Sequence, residues 1–198
     1  MTDVAPEAQR LRISTTLAAS IAAAGGSALL AIVLHPVVGT AVYVWVLTAL
    51  LAAGAIAPVT IDLRIRKLPN RWVAPIAAAG AVQAIAIAYA TADPWRVFWP
   101  LIVASIVTAF YIALGLAGMF GLGDAKFAAA LSITVAIYAG PLALYLIPIA
   151  ILLGGLWRAI LTTLGRGGRP RAHGPAIAIA SLATLATAAV LQVGGLSS

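Results

Sequence analysis

Two aspartates in an otherwise apolar chain are the residues best suited to chemistry. The 198 residues include only 5 Asp and Glu. Asp3 and Glu7 lie in a polar N-terminal segment, and Asp93 precedes a proline in "TADPWR", a pattern typical of turns. Asp62, in "PVTIDLRIRKLPN", and Asp124, in "FGLGDAKF", remain. Two carboxylates that share a site hold one proton between them, so one can activate water while the other donates a proton.

Each aspartate alone also has an ordinary structural interpretation. Asp124 at a helix start is expected to act as an N-cap, because a carboxylate there accepts free backbone N–H groups and complements the helix dipole. Asp62 could form an interfacial ion pair with Arg64, Arg66 or Arg158. Acids in membrane helices are, however, energetically expensive and usually face the bundle interior. The aspartates therefore predict a catalytic pair if their helices bring them to one membrane face.

The composition predicts membrane helices as the elements that carry the pair. The chain is 63% hydrophobic and 9% charged, with a mean hydropathy of +1.09, whereas soluble domains have roughly 25% charged residues. The expected fold class is all-α, a polytopic bundle of membrane helices. Residues 1–12 are expected to form a polar tail, and residues 13–198 a single membrane domain.

Several kinds of site are excluded by what the sequence lacks. There is no cysteine, so disulfides, zinc thiolate sites, Fe–S clusters and a cysteine nucleophile are excluded. No phosphate loop, HExxH or GxSxG motif is present. His35, in a predicted outer turn, and His173, in a predicted inner loop, are too few and too dissimilar in setting to suggest a hydrolytic site. No metal or other cofactor is expected.

Seven apolar runs approach the roughly 20 residues that a spanning helix needs. They are Ile13–Leu34, Val37–Thr60, Trp72–Ala90, Val97–Met119, Ala125–Ala139, Leu142–Leu161 and Gly174–Val193. The fifth run is short, about 23 Å at 1.5 Å per residue, and could instead continue into the sixth through a kink at Pro141.

The basic residues orient these spans and decide between the two alternatives. The net charge is +7. With the N-terminus in the cytoplasm, 11 of the 12 Lys and Arg fall in inner segments and only Arg96 lies outside, as the positive-inside rule requires. Joining the fifth and sixth runs would move "RGGRPRAH" outside, so seven spans are favoured. This orientation puts Asp62 and Asp124 at similar depth on the cytoplasmic side. A basic surplus distributed in this way does not indicate nucleic-acid binding.

Five neighbouring residues are expected to support the pair. Gly121 and Gly123 lack a Cβ, so the backbone can approach substrate or adopt a positive φ, although a simple flexible turn is the alternative. Lys126 lies two positions past the aspartate, about 200° around a helix, and is expected to point away from the pair towards lipid phosphate. Pro69 and Asn70 are expected to end the inner loop and set the start of the third span.

Three of these segments resemble a known family. "GLGDAK" resembles the GxGDxK motif of the type IV prepilin peptidases, which are GxGD aspartic membrane peptidases. "DLRIRKLPNRW" resembles the other aspartate motif of that family, and "AHGPAIAIA" its Gly-Pro segment before the last span. The resemblance covers about residues 55–190.

The resemblance implies an activity, a location and partners. It implies that Asp62 and Asp124 are catalytic and face the cytoplasm from the cell (plasma or inner) membrane. It implies cleavage of the short basic leader of pilin or pseudopilin precursors. The partners expected are therefore a prepilin-like substrate, the lipid bilayer and a pilus assembly or secretion system, but no nucleic acid.

The chain also departs from the family pattern. Many members carry a cysteine-bearing domain and methylate the new N-terminus. Because this chain has no cysteine, N-methyltransferase activity is not expected. The small size of the chain is similar to that of Tad/Flp-type or archaeal preflagellin peptidases. The predicted first span is an extra one, which raises the number of spans above the six-span minimum of the family. Two alternatives remain: a presenilin-like GxGD protease, although "TIDLR" lacks the Tyr-Asp motif of that group, and a small transporter or scaffold with Asp62 and Asp124 as a proton or cation site.

Overall fold

The computed structural model describes residues 51, 53–64, 68–165 and 172–193. The predicted polar tail, the first span Ile13–Leu34 and most of the second span Val37–Thr60 lie outside the described residues, as does the basic part of the loop before the last span. The seven-span count and the cytoplasmic N-terminus therefore stay predictions.

All regular structure in the described ranges is helical. Residues 53–64 form helix α1, followed by α2 (Asn70–Thr91), α3 (Trp95–Leu116) and α4 (Leu122–Ala139). A 3₁₀ helix (Gly140–Tyr145) leads into α5 (Leu146–Thr163), and α6 (Gly174–Val193) is the last element. The sequence sets several of these boundaries, because Pro69 and Pro94 directly precede α2 and α3, and proline is favoured at helix starts.

Helix α4 occupies the centre of the bundle. Residues on several of its faces are buried, among them Phe127, Ala128 and Leu131, each with 0% of its surface exposed. A helix that is apolar all round is expected to be surrounded by other elements. Helix α4 packs against α2, α3 and α6, whereas α5 packs mainly against α6. The short side chains of α4, many of them alanine, favour a helix and permit close approach of its neighbours.

Contacts at the helix ends fix the directions of the helices. At one end, a Cβ on Gly123 would lie 3.2 Å from Leu68 Cβ, so α4 begins beside the residues that lead into α2. At the other end, Arg96 at the start of α3 donates to the carbonyl oxygen of Ile137 near the end of α4 (3.3 Å). Helices α2 and α4 therefore run parallel, and α3 runs antiparallel to both.

The turn before α3 confirms the predicted role of Asp93. Its Oδ1 accepts a hydrogen bond from the Trp95 N–H (3.0 Å), and its Oδ2 pairs with Arg96 Nε at 3.3 Å. A carboxylate that accepts from the backbone two residues on is the chemistry expected of an Asp-Pro turn.

The chain reverses direction between α4 and α5. Gly140 has a φ of +53°, which glycine adopts without the steric penalty of a Cβ. Gly154, midway along α5, lies against His173, which immediately precedes α6. Helix α5 therefore returns towards the end at which α4 begins, and a single kinked helix through Pro141 is excluded.

Two predicted boundaries in this region are corrected. The fifth span begins at Leu122 rather than Ala125, so α4 has 18 residues and is about 27 Å long. The sixth run begins with the 3₁₀ helix rather than directly with α5. Among the described residues, four helical runs are long and apolar enough to cross a membrane: Asn70–Thr91, Trp95–Leu116, Leu122–Thr163, which contains both α4 and α5, and Gly174–Leu191.

Candidate active site

Asp62 is held at one end of the bundle by the start of the last helix. It lies near the end of α1 with only 4% of its surface exposed. Its Oδ2 accepts a hydrogen bond from the backbone N–H of Gly174, the first residue of α6, at 2.9 Å. Of the three arginines predicted as its ion-pair partners, Arg66 lies outside the described residues, so the predicted ion pair stays a prediction. The backbone N–H at the start of α6 therefore holds the buried carboxylate.

Asp124 lies in the first turn of α4, three residues after the N-cap. The N-cap is Gly121, so the prediction that Asp124 itself takes this position is wrong. Asp124 Oδ2 accepts the Gly121 N–H at 3.0 Å, and the Asp124 N–H donates to the Gly121 carbonyl oxygen at 3.0 Å. This carboxylate-to-N-cap contact is the acidic half of a capping box. The side chain both closes the turn and stays partly exposed.

The two carboxylates lie at one end of the bundle, where Asp62 is buried and Asp124 is partly exposed. Phe120 and His173, which directly precede the two glycines that hold these carboxylates, stack with ring centroids 4.1 Å apart. In the described part of the chain, each carboxylate accepts a hydrogen bond through Oδ2 from a glycine N–H, and neither Oδ1 accepts one from protein. No group of three His, Asp or Glu side chains that could hold a metal ion occurs in those same ranges.

Of the two glycines in the GLGD segment, Gly123 is the one that permits close packing. Gly121 has a φ of −87°, and Gly123 is not among the glycines with positive φ, so the alternative of a left-handed backbone at these positions is wrong. A Cβ on Gly123 would lie 3.2 Å from Leu68 Cβ, tighter than ordinary van der Waals contact. The missing side chain therefore lets α4 begin directly against the segment that precedes α2.

The remaining predicted support residues meet at the surface beside this packing. Pro69 is the N-cap of α2 and Asn70 its first residue, which confirms that they set the start of the third span. Lys126 Nζ donates to Asn70 Oδ1 at 3.2 Å, and both groups are exposed. The Lys126 ammonium thus contacts α2 and not either aspartate, and this link between the two motifs was not predicted.

Sequence reasoning missed a buried aromatic cluster next to Asp62. His173 is only 7% exposed and Tyr111 is fully buried. Tyr111 Oη lies 3.3 Å from His173 Nε2, and the His173 ring stacks on Phe120 with centroids 4.1 Å apart. The "AHGP" segment held the only available signal, because it places a histidine directly before the glycine that starts α6.

Burial controls the protonation of His173. It lowers the pKa of the imidazole to about 4, because a charged ring would lose its hydration. The ring is therefore neutral at pH 7. One of its nitrogens is then an acceptor and the other a donor, which allows Tyr111 Oη either to donate to Nε2 or to accept from it.

A loss of stability in mild acid is expected from this shift. The folded pKa lies below the unfolded value of about 6.5, so the unfolded chain binds more protons between about pH 6.5 and 4. Stability falls across this window as pH decreases, by up to about 3 kcal/mol from this group. The melting temperature in detergent of the wild type, relative to His173→Phe, should decline from pH 7 to 4. Parallel pH profiles for the two proteins would contradict the assignment.

The fold and site define a helical membrane protein with two carboxylates held at one end of its bundle. A family model described as the type IV leader peptidase family matches residues 45–160. The chain belongs to this family of peptidases, and the apolar helices make it a multi-pass membrane protein. The match includes both Asp62 and Asp124 but ends before His173. Comparison with curated proteins and with solved structures found no match.

Proposed function

We propose that the chain is an aspartic endopeptidase that removes the basic leader peptide from prepilin-like precursors at the cytoplasmic face of the membrane. One observation carries the proposal. In a chain of the type IV leader peptidase family, Asp62 and Asp124 come from distant parts of the sequence to one end of the bundle, each held through Oδ2 by a glycine N–H.

The proposed chemistry uses the two carboxylates as a pair that shares one proton. The ionised member takes a proton from a water molecule, whose oxygen attacks the carbonyl carbon of the scissile peptide bond. The protonated member donates to the carbonyl oxygen, and the tetrahedral species then collapses as the amine leaves with a proton from the pair. Asp62 and Asp124 titrate as a coupled unit, so the roles of base and acid belong to the pair.

The neighbouring residues have proposed supporting roles. Gly121 supplies the N–H that orients Asp124, and Gly123 permits the close approach of α4 to the other aspartate motif. Pro69 and Asn70 begin α2 beside that contact. Lys126 braces the two motifs through Asn70 and does not act on substrate.

A small effect is expected when this brace is removed. Lys126→Met should change kcat/KM for leader cleavage by less than about fivefold, because an exposed hydrogen bond contributes about 1 kcal/mol or less. Asn70→Ala should have the same effect, and the double variant should be no worse than either single one. A loss of more than tenfold in Lys126→Met alone would instead give this lysine a role in binding or catalysis.

The proposed setting is the cytoplasmic membrane, with a pilin-like or pseudopilin-like substrate and a pilus assembly or secretion system as the wider partner. The lack of cysteine is the reason to propose cleavage without N-methylation. Cleavage at the membrane face also distinguishes this proposal from a presenilin-like protease that cuts within a substrate's span.

The test is co-expression with a small pilin-like precursor in a host whose own leader peptidase has been deleted. The expected result is a shorter precursor on a gel and a product whose mass corresponds to a free, unmethylated N-terminus at the leader junction. The matched control is the Asp62→Asn/Asp124→Asn variant at equal membrane abundance. An uncleaved precursor, or one equally cleaved by the control, would contradict the proposed function, and a methylated product would contradict the absence of transferase activity.

A further inference from the structure

Each candidate carboxylate is held by a glycine that directly follows a ring-bearing residue. The pairs are His173-Gly174, which holds Asp62 at 2.9 Å, and Phe120-Gly121, which holds Asp124 at 3.0 Å. The rings of His173 and Phe120 stack, with centroids 4.1 Å apart and an interplanar angle of 29°. Neither hydrogen bond requires this contact, so the stack is a separate connection between the two donors.

The His173 ring of the stack is buried, and the Phe120 ring is partly buried. Tyr111, fully buried in α3, has its ring centroid 5.7 Å from that of Phe120 and 5.9 Å from that of His173. On the other side, a Cβ on Gly154 would lie 2.7 Å from His173 Cε1 and Nδ1. The imidazole is thus confined by α3, α5 and the segment before α4.

We propose that the Phe120–His173 stack is a positioning device, which fixes the Gly121 and Gly174 N–H donors relative to each other and so sets the relative geometry of the two carboxylates. The carboxylates come from different helices, and a catalytic pair must be held within a fraction of an ångström to act on one water. Phe120 and His173 touch the residues that hold the pair, and they are positioning residues rather than catalytic ones. The consequence for cleavage rests on the proposed function, whereas the effect on the donors does not.

A cross-effect on amide exchange tests the stack without any assay of activity. In ¹⁵N-glycine-labelled protein in detergent, His173→Ala should raise the exchange rate at Gly121, and Phe120→Ala should raise it at Gly174, each by about tenfold or more. His173→Phe keeps a flat ring and should restore slow exchange. Leu185→Ala, a buried truncation about 16 Å further along α6, is the control that should leave both amides unchanged. The proposal would be overturned if each substitution raised exchange only at the glycine next to it in the sequence. It would also be overturned if Leu185→Ala raised exchange at Gly121 and Gly174 by the same amount.

A second pair of variants alters neither Phe120 nor His173. Gly154→Ala should push the imidazole off Phe120, because the added methyl group overlaps the ring. Gly155→Ala adds the same methyl group at the next position, where nothing lies within 4 Å. We expect faster amide exchange at Gly121 in Gly154→Ala but not in Gly155→Ala. Equal exchange rates at Gly121 in the two variants would contradict the proposed positioning role of the stack.

The kinetic readout separates positioning from general stability. His173→Ala should lower kcat for leader cleavage about 10- to 100-fold with KM nearly unchanged, whereas Leu185→Ala should lower the melting temperature without this loss. If the wild type does not cleave, the proposed function fails and the exchange experiment still decides the stack. If it cleaves and His173→Ala retains full kcat, the stack does not position the pair, and the proposed function stands.

Discussion

Asp62→Asn and Asp124→Asn are each expected to lower the rate of leader cleavage by about 10²- to 10⁴-fold. Asparagine has the size of aspartate, and its carbonyl oxygen can still accept the glycine N–H that holds each side chain. It cannot take a proton from water or share one with its partner. The variants thus remove the proton transfer while leaving the local packing in place.

The non-additivity of the two changes is the sharper part of this expectation. In the proposed mechanism the aspartates act as one unit, so the Asp62→Asn/Asp124→Asn variant should be hardly slower than either single variant. The measurement is a time course of precursor cleavage by purified protein in lipid, with melting temperatures to show that each variant is folded.

Asp93→Asn provides the matched control for these variants. Asp93 is an exposed residue of the turn before α3, where it pairs with Arg96, and this turn lies at the opposite end of the bundle from the pair. The same substitution there should leave cleavage within about twofold of the wild type, since exposed ion pairs contribute about 1 kcal/mol or less. A single Asp62 or Asp124 variant that cleaves as fast as this control would exclude the two-carboxylate mechanism.

The elements of the fold that the sequence predicts well are those with strong local signals. Helix α6 occurs at the predicted bounds Gly174–Val193, where a Gly-Pro pair begins a long apolar run. Helix α2 begins directly after Pro69, whose ring restricts the backbone and suits a helix start. The reversal at Gly140 is also local, because a Gly-Pro pair interrupts the apolar run. In each case a residue with a distinctive backbone preference coincides with a change in pattern.

The role of Asp124 is at the limit of such local reasoning. An aspartate near a helix start can be the N-cap or can lie three residues inside and reach back to the N-cap N–H. The sequence "GLGD" permits both, because glycine at position 121 is also an acceptable N-cap. Packing of Gly123 against Leu68 favours the earlier start, and that contact depends on how α4 meets the segment before α2.

The cluster around His173 depends on contacts that no local pattern contains. Tyr111 and His173 are 62 positions apart, and their meeting depends on the rotation of α3 and α6 about their axes. Gly154 and Gly174 each leave space for a particular side chain, but glycine is common in membrane helices, and its partner cannot be read from its presence. Sequence analysis therefore singled out the two aspartates as candidates and missed the rings next to the glycines that hold them.

Gly174→Ala is expected to have the second large effect on activity. An ideal Cβ on Gly174 would lie 2.7 Å from Asp62 Oδ2 and 3.3 Å from Asp62 Cγ, separations that real Cβ atoms avoid. The buried carboxylate must therefore rotate away from the Gly174 N–H or push α6 outward. Either movement displaces one member of the pair, and leader cleavage should fall about 10- to 100-fold.

Making Gly174→Ala in an Asp62→Ala background shows whether overlap with the Asp62 carboxylate causes the effect of the substitution. Alanine in a helix is about 1 kcal/mol more favourable than glycine, so Gly174→Ala should stabilise α6 wherever nothing opposes its methyl group. In the wild-type background the melting temperature should fall because of the overlap with Asp62. In an Asp62→Ala background the overlap is absent, and the same substitution should leave the melting temperature unchanged or raise it. An equal fall in both backgrounds would mean that another contact opposes the methyl group, and that Gly174 is not required for the placement of Asp62.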